Sequence, residues 1–84
     1  MTAVTIYSSM MCPFCHRAKA LLKSKGAAFR EIDVTFKPSA RKDMIQKTGG
    51  RTSVPQIWID DVYIGGSDEL AALDRAGKLD SLLK

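Results

Sequence analysis

Apolar positions in the first third of the chain follow two periods, which predict a strand, a helix and a second strand. The run AVTIYS (3–8) is short and rich in β-branched and aromatic residues, as strands are. Pro13 then opens a pattern with helical spacing that ends at Gly26, where a left-handed residue can close a helix. The next run, AFREIDV (28–34), alternates with the period of two expected of a strand. Such a strand–helix–strand unit is almost always right-handed with parallel strands.

The rest of the chain predicts a helix, a hairpin and a helical C-terminus. In order, the sequence favours a helix from Pro38 to the Gly49–Gly50 pair, strands QIWID (56–60) and VYIG (62–65), a helix capped by Ser67 and ended by Gly77, and a last turn in KLDSLLK (78–84). No linker, repeat or low-complexity segment divides the chain, so we expect one domain over residues 1–84. An α/β fold would bury the apolar faces of these elements, with a four-stranded mixed sheet that has helices on both faces.

The composition is that of an ordinary globular chain. Hydrophobic residues make up 45% of the 84 positions and charged residues 26%, and no apolar run approaches the roughly 18 residues of a membrane span. The N-terminus, MTAVTIYSSM, has no basic region followed by a long apolar stretch, so we expect a cytoplasmic protein with no membrane partner. The net charge of +4 comes from scattered Lys and Arg, which does not favour nucleic-acid binding. It suits solubility or the attraction of a small anionic substrate.

Cys12 and Cys15 are the two cysteines of the chain, and their spacing argues for chemistry rather than cross-linking. A bridge over two intervening residues closes a loop too small to restrict the unfolded chain much. With His16 they form C-x-x-C-H, which allows a dithiol redox pair, the attachment pattern of a c-type haem, or three of four zinc ligands. Haem attachment requires export and a mostly helical wrap, for which the predicted strands leave little chain. Zinc requires a fourth ligand, and the sequence has no other Cys or His, so we expect no metal site.

The position of Cys12 favours the dithiol interpretation. It lies between the first strand and the first helix, and Pro13 suits the first helical position, where an N–H is not needed. The free N–H groups of that turn and the positive end of the helix dipole then face the Cys12 sulfur and favour its thiolate form. Cys15 lies one turn further in, less exposed, and is better placed to resolve a mixed disulfide than to begin one. An exposed nucleophile and a resolving thiol within reach are what a dithiol exchange catalyst needs.

Two other segments predict a substrate groove beside the cysteines. In RTSVPQIWI, Pro55 drives Val54 toward extended geometry, and a cis bond between them would expose the Val54 backbone to pairing with an extended peptide. The alternative is that Pro55 merely begins a strand. In GGSDEL the two glycines allow a close backbone approach, and the first amides of the helix at Ser67 can hold a carboxylate. Asp68 can accept from an ammonium group, although a helix cap alone would explain the same residues.

Taken together, these residues resemble a glutaredoxin over almost the whole chain. The likeness consists of the short strand before C-P-F-C, the basic helix after it, T-S-V-P before an apolar strand, and G-G-S-D before a closing helix. The chain most resembles the small bacterial dithiol class, whose active site is usually C-P-Y-C. The resemblance implies a thioredoxin-like fold, no tightly bound cofactor, and glutathione as the cosubstrate that reduces protein disulfides and glutathione mixed disulfides. It also implies Cys12 as the nucleophile, Cys15 as the resolving thiol, and a glutathione site made of Phe14, Arg51, Ser53, Val54, Pro55, Gly66, Ser67 and Asp68.

Two positions depart from the family pattern. The family commonly has a Lys three residues before the nucleophile, where it contacts a glutathione carboxylate, and here that residue is Ser9. Phe14 replaces the usual Tyr, which removes a hydroxyl but keeps the ring. The absence of the Lys implies weaker glutathione binding or a less stabilised Cys12 thiolate, unless Arg17 or Arg51 compensates.

The resemblance does not name the protein partners. Ribonucleotide reductase, arsenate reductase and glutathionylated proteins in general are compatible substrates, and we expect the chain to act as a monomer. Two other functions compete. One is an iron–sulfur carrier, in which Cys12 of two subunits and two glutathiones would ligate a cluster; Pro13 and Cys15 argue against it, because a disulfide within the chain competes for the ligating sulfur. The other is reduction by thioredoxin reductase, which the S-V-P and G-G-S-D segments disfavour.

Overall fold

The predicted strands pair into one four-stranded sheet in the computed structural model, which describes residues 3–83. The elements in chain order are β1 (Val4–Ser8), α1 (Pro13–Ser24), β2 (Phe29–Asp33), α2 (Pro38–Lys47), β3 (Gln56–Ile59), β4 (Val62–Gly65), α3 (Ser67–Arg75) and α4 (Leu79–Leu82). Their order is the one that the sequence predicts, and the predicted last turn is α4. Lys84, the final residue of that predicted segment, lies outside the described range. No helix within residues 3–83 is both long enough and apolar enough to cross a membrane.

The sheet combines parallel and antiparallel pairs in the order β2-β1-β3-β4. β1 runs parallel to β2, with Val4 opposite Phe29, and antiparallel to β3, with Val4 opposite Ile59. β3 and β4 form the predicted hairpin, and Asp60 adopts a φ of 53° at its turn. The prediction of an α/β, thioredoxin-like fold with a mixed sheet is confirmed.

The alternation of side chains along the strands separates two apolar clusters, one on each face of the sheet. The larger one draws on β1, β3, α1, α3 and α4, with Val4, Ile6, Ala18, Leu22, Ile57, Ile59, Leu70 and Leu79 as its buried members. The smaller one lies beneath α2 and consists of Tyr7, Val34 and Met44, with Trp58 packed against them. Helices therefore cover both faces, as expected for a sheet that must bury two apolar surfaces.

α1 is the element that fixes the position of the cysteines. Pro13 is its first residue, and its buried side chains Cys15, Ala18 and Leu22 follow helical spacing. Gly26 follows its last turn with a φ of 70°, the left-handed conformation that the sequence predicts there. Ala18 and Leu22 on this face belong to the larger cluster, so the helix packs on the face of the sheet that carries Val4 and Ile6.

The start of α3 differs by one residue from the sequence-based prediction. Ser67 was expected to cap the helix, but Gly66 occupies the cap position and Ser67 is the first helical residue. The Gly66 N–H donates to Oε1 of Glu69 at 3.0 Å. Glu69 thus accepts from the cap residue itself, and among the described residues no side chain caps the N–H groups of the first turn. The prediction of Ser67 as the cap is wrong.

Candidate active site

Cys12 occupies the junction of β1 and α1, with its sulfur on the N-terminal end of the helix. Its backbone is extended, with φ −123° and ψ 104°, and its side chain caps the helix. The Cys15 N–H donates to Cys12 Sγ over 3.1 Å. A free helical N–H group thus points at the sulfur where negative charge develops during thiol exchange, as the position of Pro13 predicts.

The exposure of Cys12 is lower than the sequence suggests. The residue is only 8% exposed, whereas an exposed nucleophile was expected. The Val54 carbonyl oxygen lies 3.7 Å from Cys12 Sγ and accepts a hydrogen bond from the thiol. Because this contact joins residues 42 positions apart, no local pattern reveals it. Cys12 is nearly buried but still more accessible than Cys15, which is 0% exposed.

Cys15 has the properties of a resolving thiol. Burial, together with the Cys12 side chain, raises the pKa of the Cys15 thiol to about 12. The Ser9 backbone and the Lys19 cation act in the opposite direction on that pKa, but they do not offset the burial. With Cys12 reduced, Cys15 therefore remains a protonated thiol near neutral pH, unsuited to starting an exchange. Both cysteines are free thiols in the structure.

His16, the last member of the C-x-x-C-H pattern, lies exposed on α1. Among residues 3–83, no three His, Cys, Asp or Glu side chains are grouped as ligands for a metal ion. Among the described residues, the reactive groups at the junction of β1 and α1 are the thiols of Cys12 and Cys15.

A cleft of about 160 Å³ opens beside the cysteine pair. It is lined by Phe14, Arg51, Ser53, Val54, Pro55, Gly66, Ser67, Asp68 and Glu69. The structure thus brings together all the residues that the family resemblance implies for glutathione. Glu69 is the lining residue that the sequence did not single out; its place in the acidic first turn of α3 was the available signal.

Two backbone features shape this cleft. The bond between Val54 and Pro55 is cis, the alternative that the sequence left open. A Cβ atom on Gly66 would lie 3.3 Å from the Pro55 carbonyl oxygen, so the glycine allows the start of α3 to approach this turn closely. On Gly65, where φ is 113°, a Cβ atom would meet the Glu69 carboxylate at 2.5 Å. The predicted role of the glycines in close backbone approach agrees with these distances.

A hydrogen-bond network holds Arg51 at the rim of the cleft. Arg51 Nη1 donates to the Tyr63 hydroxyl at 3.0 Å, and that hydroxyl donates to Oε1 of the fully buried Gln56. Gln56 Nε2 in turn donates to the Ser53 carbonyl at 2.9 Å. Arg51 Nη2 also lies 3.7 Å from Glu69 Oε1. Tyr63 and Gln56 therefore position two cleft residues, a role that sequence reasoning missed because the partners come from different segments.

Comparison with known proteins gives consistent matches. The family model described as Glutaredoxin matches residues 4–64, a range that includes both cysteines and Pro55. Glutaredoxin 3 of Escherichia coli strain K12 is 54% identical over 84 residues, which cover 100% of both chains.

Solved structures agree with the sequence matches. The solution structure of a glutaredoxin from Brucella melitensis is 52% identical, with a TM-score of 0.85 over 98% of this chain and 88% of that one. The crystal structure of a buckwheat glutaredoxin–glutathione complex is 28% identical, with a TM-score of 0.88 over 98% of this chain and 76% of that one.

Proposed function

This chain belongs to the glutaredoxin family of thiol–disulfide oxidoreductases, and we propose that it uses glutathione to reduce protein disulfides and glutathione mixed disulfides. The observation that carries the proposal is the cleft, whose Val54 carbonyl contacts the Cys12 sulfur while Asp68 and the start of α3 line its wall. The buckwheat relative was solved as a glutaredoxin–glutathione complex, which supports the choice of cosubstrate.

The polar groups of the cleft suit the polar groups of glutathione. Glutathione carries two carboxylates and one ammonium group on a short extended backbone. The guanidinium of Arg51 and the free N–H groups at the start of α3 attract carboxylates, and Asp68 can accept from the ammonium group. The Val54 backbone can pair with the cysteinyl part, which brings the glutathione sulfur toward Cys12. Phe14 adds an apolar wall that is 51% exposed.

The two thiols allow two routes. In the first, the Cys12 sulfur attacks the glutathione sulfur of a mixed disulfide, and the partner thiol leaves. The thiolate of a second glutathione then attacks the glutathione bound to Cys12, which gives oxidised glutathione and free Cys12. In the second route Cys12 attacks a protein disulfide, and Cys15 displaces the protein to form the Cys12–Cys15 disulfide. Two glutathione molecules then reduce that disulfide.

Protein substrates are further supported by exposed apolar side chains around the nucleophile. Met11 directly precedes Cys12 and is 89% exposed, and Met10 is 59% exposed. The Met10 N–H donates to Thr35 Oγ1 at 2.9 Å, which holds this loop beside the one that carries Phe36, itself 81% exposed. These exposed apolar side chains suit a protein substrate with apolar residues next to its disulfide.

The proposal includes action as a monomer in the cytoplasm, where glutathione is kept reduced.

Cys15→Ser separates the two routes and tests the proposal. We expect the variant to keep turnover of a small glutathione mixed disulfide within a few-fold of wild type, because only Cys12 is needed, and to lose reduction of a protein disulfide at least about tenfold. Both assays use glutathione, NADPH and glutathione reductase as the reducing system. If neither the wild-type protein nor Cys15→Ser has glutathione-dependent activity, the proposed function is contradicted.

Ser9→Lys tests the departure from the family pattern. The new ammonium group lies three residues before Cys12 and adds attraction for a glutathione carboxylate. We expect the Michaelis constant for glutathione to fall roughly two- to fivefold, the effect of a partly exposed ion pair. The gain is limited because Arg51 already lines the cleft and Arg17 already lies 5.6 Å from the centre of the Phe14 ring.

The matched control for this variant is Ser81→Lys, which adds the same charge on α4 at an exposed position. It should leave the Michaelis constant for glutathione unchanged. Equal constants in both variants and wild type would show that the cation at position 9 has no part in glutathione binding.

A further inference from the structure

A cluster of polar side chains lies one helical turn beyond Cys15 and outside the cleft. Lys19 Nζ donates to Oε2 of Glu31 at 2.8 Å and forms an ion pair with it. The Ser8 hydroxyl donates to the same carboxylate oxygen, and Ser8 is fully buried at the end of β1. The Lys19 side chain is only 18% exposed, low for a residue type that normally keeps its ammonium group in water.

The ion pair between Lys19 and Glu31 has a third partner, the Ser8 hydroxyl, which donates to the same carboxylate oxygen. An exposed Lys–Glu pair contributes little to stability, but here the carboxylate also accepts a hydrogen bond from the fully buried Ser8. Here Ser8 fixes the carboxylate and the carboxylate fixes the ammonium group, so that the Lys19 side chain has one defined position. The cluster therefore ties the ammonium group of Lys19 on α1 to the carboxylate of Glu31 on β2.

The cation is placed to act on Cys15. Lys19 follows Cys15 by four residues on α1, and side chains at that spacing lie on the same face of a helix. Cys15 is fully buried, so a nearby charge is poorly screened by water. Burial has the largest effect on the pKa of the Cys15 thiol and raises it, whereas the Ser9 backbone and, to a smaller extent, the Lys19 charge lower it. When Cys12 is in a mixed disulfide, its thiol no longer contributes to that effect.

We infer that Lys19, held in place by Glu31 and Ser8, is a positioning residue that promotes the attack of Cys15 on a mixed disulfide at Cys12. The inference rests on the dithiol route proposed above. In that step the Cys15 thiol loses its proton to solvent, and its sulfur electron pair forms the bond to Cys12 Sγ. The bond between Cys12 Sγ and the partner sulfur breaks, and the partner leaves as a thiolate with that electron pair. The ammonium group of Lys19 stabilises the negative charge on Cys15 before the attack.

Other charged groups around this step determine its pH dependence. The hydrogen bond from Lys19, followed by that from Ser8, lowers the pKa of Glu31, so this carboxylate is ionised near neutral pH and offsets part of the Lys19 charge. Asp33 on β2 is also ionised, because hydrogen bonds from Thr35 lower its pKa. Removal of the Glu31 charge should therefore strengthen the effect of Lys19 on Cys15, whereas removal of the Lys19 charge should abolish it.

The test follows single turnovers with a chromogenic aromatic disulfide. Attack by Cys12 releases one aryl thiolate in a first phase, and attack by Cys15 releases the second. In Lys19→Met we expect the second phase to slow by roughly three- to tenfold, with its rise shifted to higher pH, because the cation no longer favours the Cys15 thiolate. The first phase should keep its rate.

Glu31→Gln is the matched control, since the amide oxygen can still accept from Lys19 and Ser8 and keep the ammonium group in place, whereas the opposing carboxylate charge is removed. We expect its second phase to be as fast as in wild type or faster. Equal slowing in both variants would mean that the pair only ties α1 to β2, and this would overturn the inference. A wild-type rate and pH profile in Lys19→Met would also overturn it.

The wild-type protein distinguishes failure of the inference from failure of the proposed function. Two phases in wild type with no effect of Lys19→Met would sink the inference alone. A first phase without a second would remove the dithiol route and the inference with it, while the route through Cys12 alone would stand. No release of aryl thiolate at all would contradict the proposed function.

Discussion

Cys12→Ser is expected to abolish glutathione-dependent disulfide reduction, with a loss of at least about a thousandfold in turnover. The thiolate is the group that attacks a disulfide sulfur, and a serine hydroxyl does not ionise near neutral pH. Cys15 cannot take over, because it is fully buried, and burial, the largest cause of its raised pKa, is still present when the Cys12 thiol is removed. Turnover of a glutathione mixed disulfide, coupled to NADPH through glutathione reductase, measures the loss.

The same variant should remain folded, which makes the loss of activity interpretable. A serine Oγ at the start of α1 can accept the Cys15 N–H as the cysteine sulfur does, and serine is among the preferred residues at this position. We expect the free energy of unfolding in urea to change by less than about 1 kcal/mol. The control is the identical change at Cys15, which keeps turnover of the small mixed disulfide. The reverse pattern, with activity lost at Cys15 and kept at Cys12, would exchange the assigned roles.

Ile57→Ala is expected to have the largest effect on stability. Ile57 is fully buried on β3, where it pairs with Ile6 on one side and Gly65 on the other. Removal of its side chain leaves a cavity in the larger cluster, which costs about 2–5 kcal/mol. An 84-residue domain has a free energy of unfolding on the order of 4–13 kcal/mol, so the variant loses a large part of its stability. Urea unfolding followed by circular dichroism checks this.

Val62→Ala provides the matched control for this loss. Val62 lies on β4 at the edge of the sheet and is 54% exposed, so its truncation should change the free energy of unfolding by about 0.5 kcal/mol or less. Similar losses in the two variants would show that the interior of the sheet is not packed as described.

Ile57 also follows Pro55 by two residues, so Ile57→Ala should raise the Michaelis constant for glutathione as the cleft loosens, whereas Val62→Ala should not.

Local sequence signals were sufficient for the elements and for the cysteine junction. The order of strands and helices followed from periodicity, since burial of one face imposes a period of two on strands and 3.6 on helices. The helix start at Cys12 followed from Pro13, whose missing N–H suits only that turn. These are interactions within a few residues, and therefore the sequence alone determined them.

The cleft could be assembled from the sequence only through the family resemblance. Arg51, Val54 and Asp68 belong to three separate segments, and no local rule states that they meet. Glu69 and Tyr63 show more plainly what local sequence rules cannot predict. Their roles at the cleft depend on a side-chain contact to Gly66 and on a network through Gln56. Neither contact leaves a motif, so neither residue could be singled out from the sequence.

For this protein the sequence by itself determined the fold class, the redox pair and which thiol lies at the helix start. Tertiary structure alone decided how far Cys12 is buried under the Val54 carbonyl, and it alone set Lys19 against Glu31 beside the resolving thiol. The physical reason is the distance along the chain between the residues that interact. Helix starts and strand alternation are fixed by neighbouring residues, whereas desolvation and the field of a charge depend on which distant segments pack together. Reactivity of the two thiols depends on the second kind of interaction.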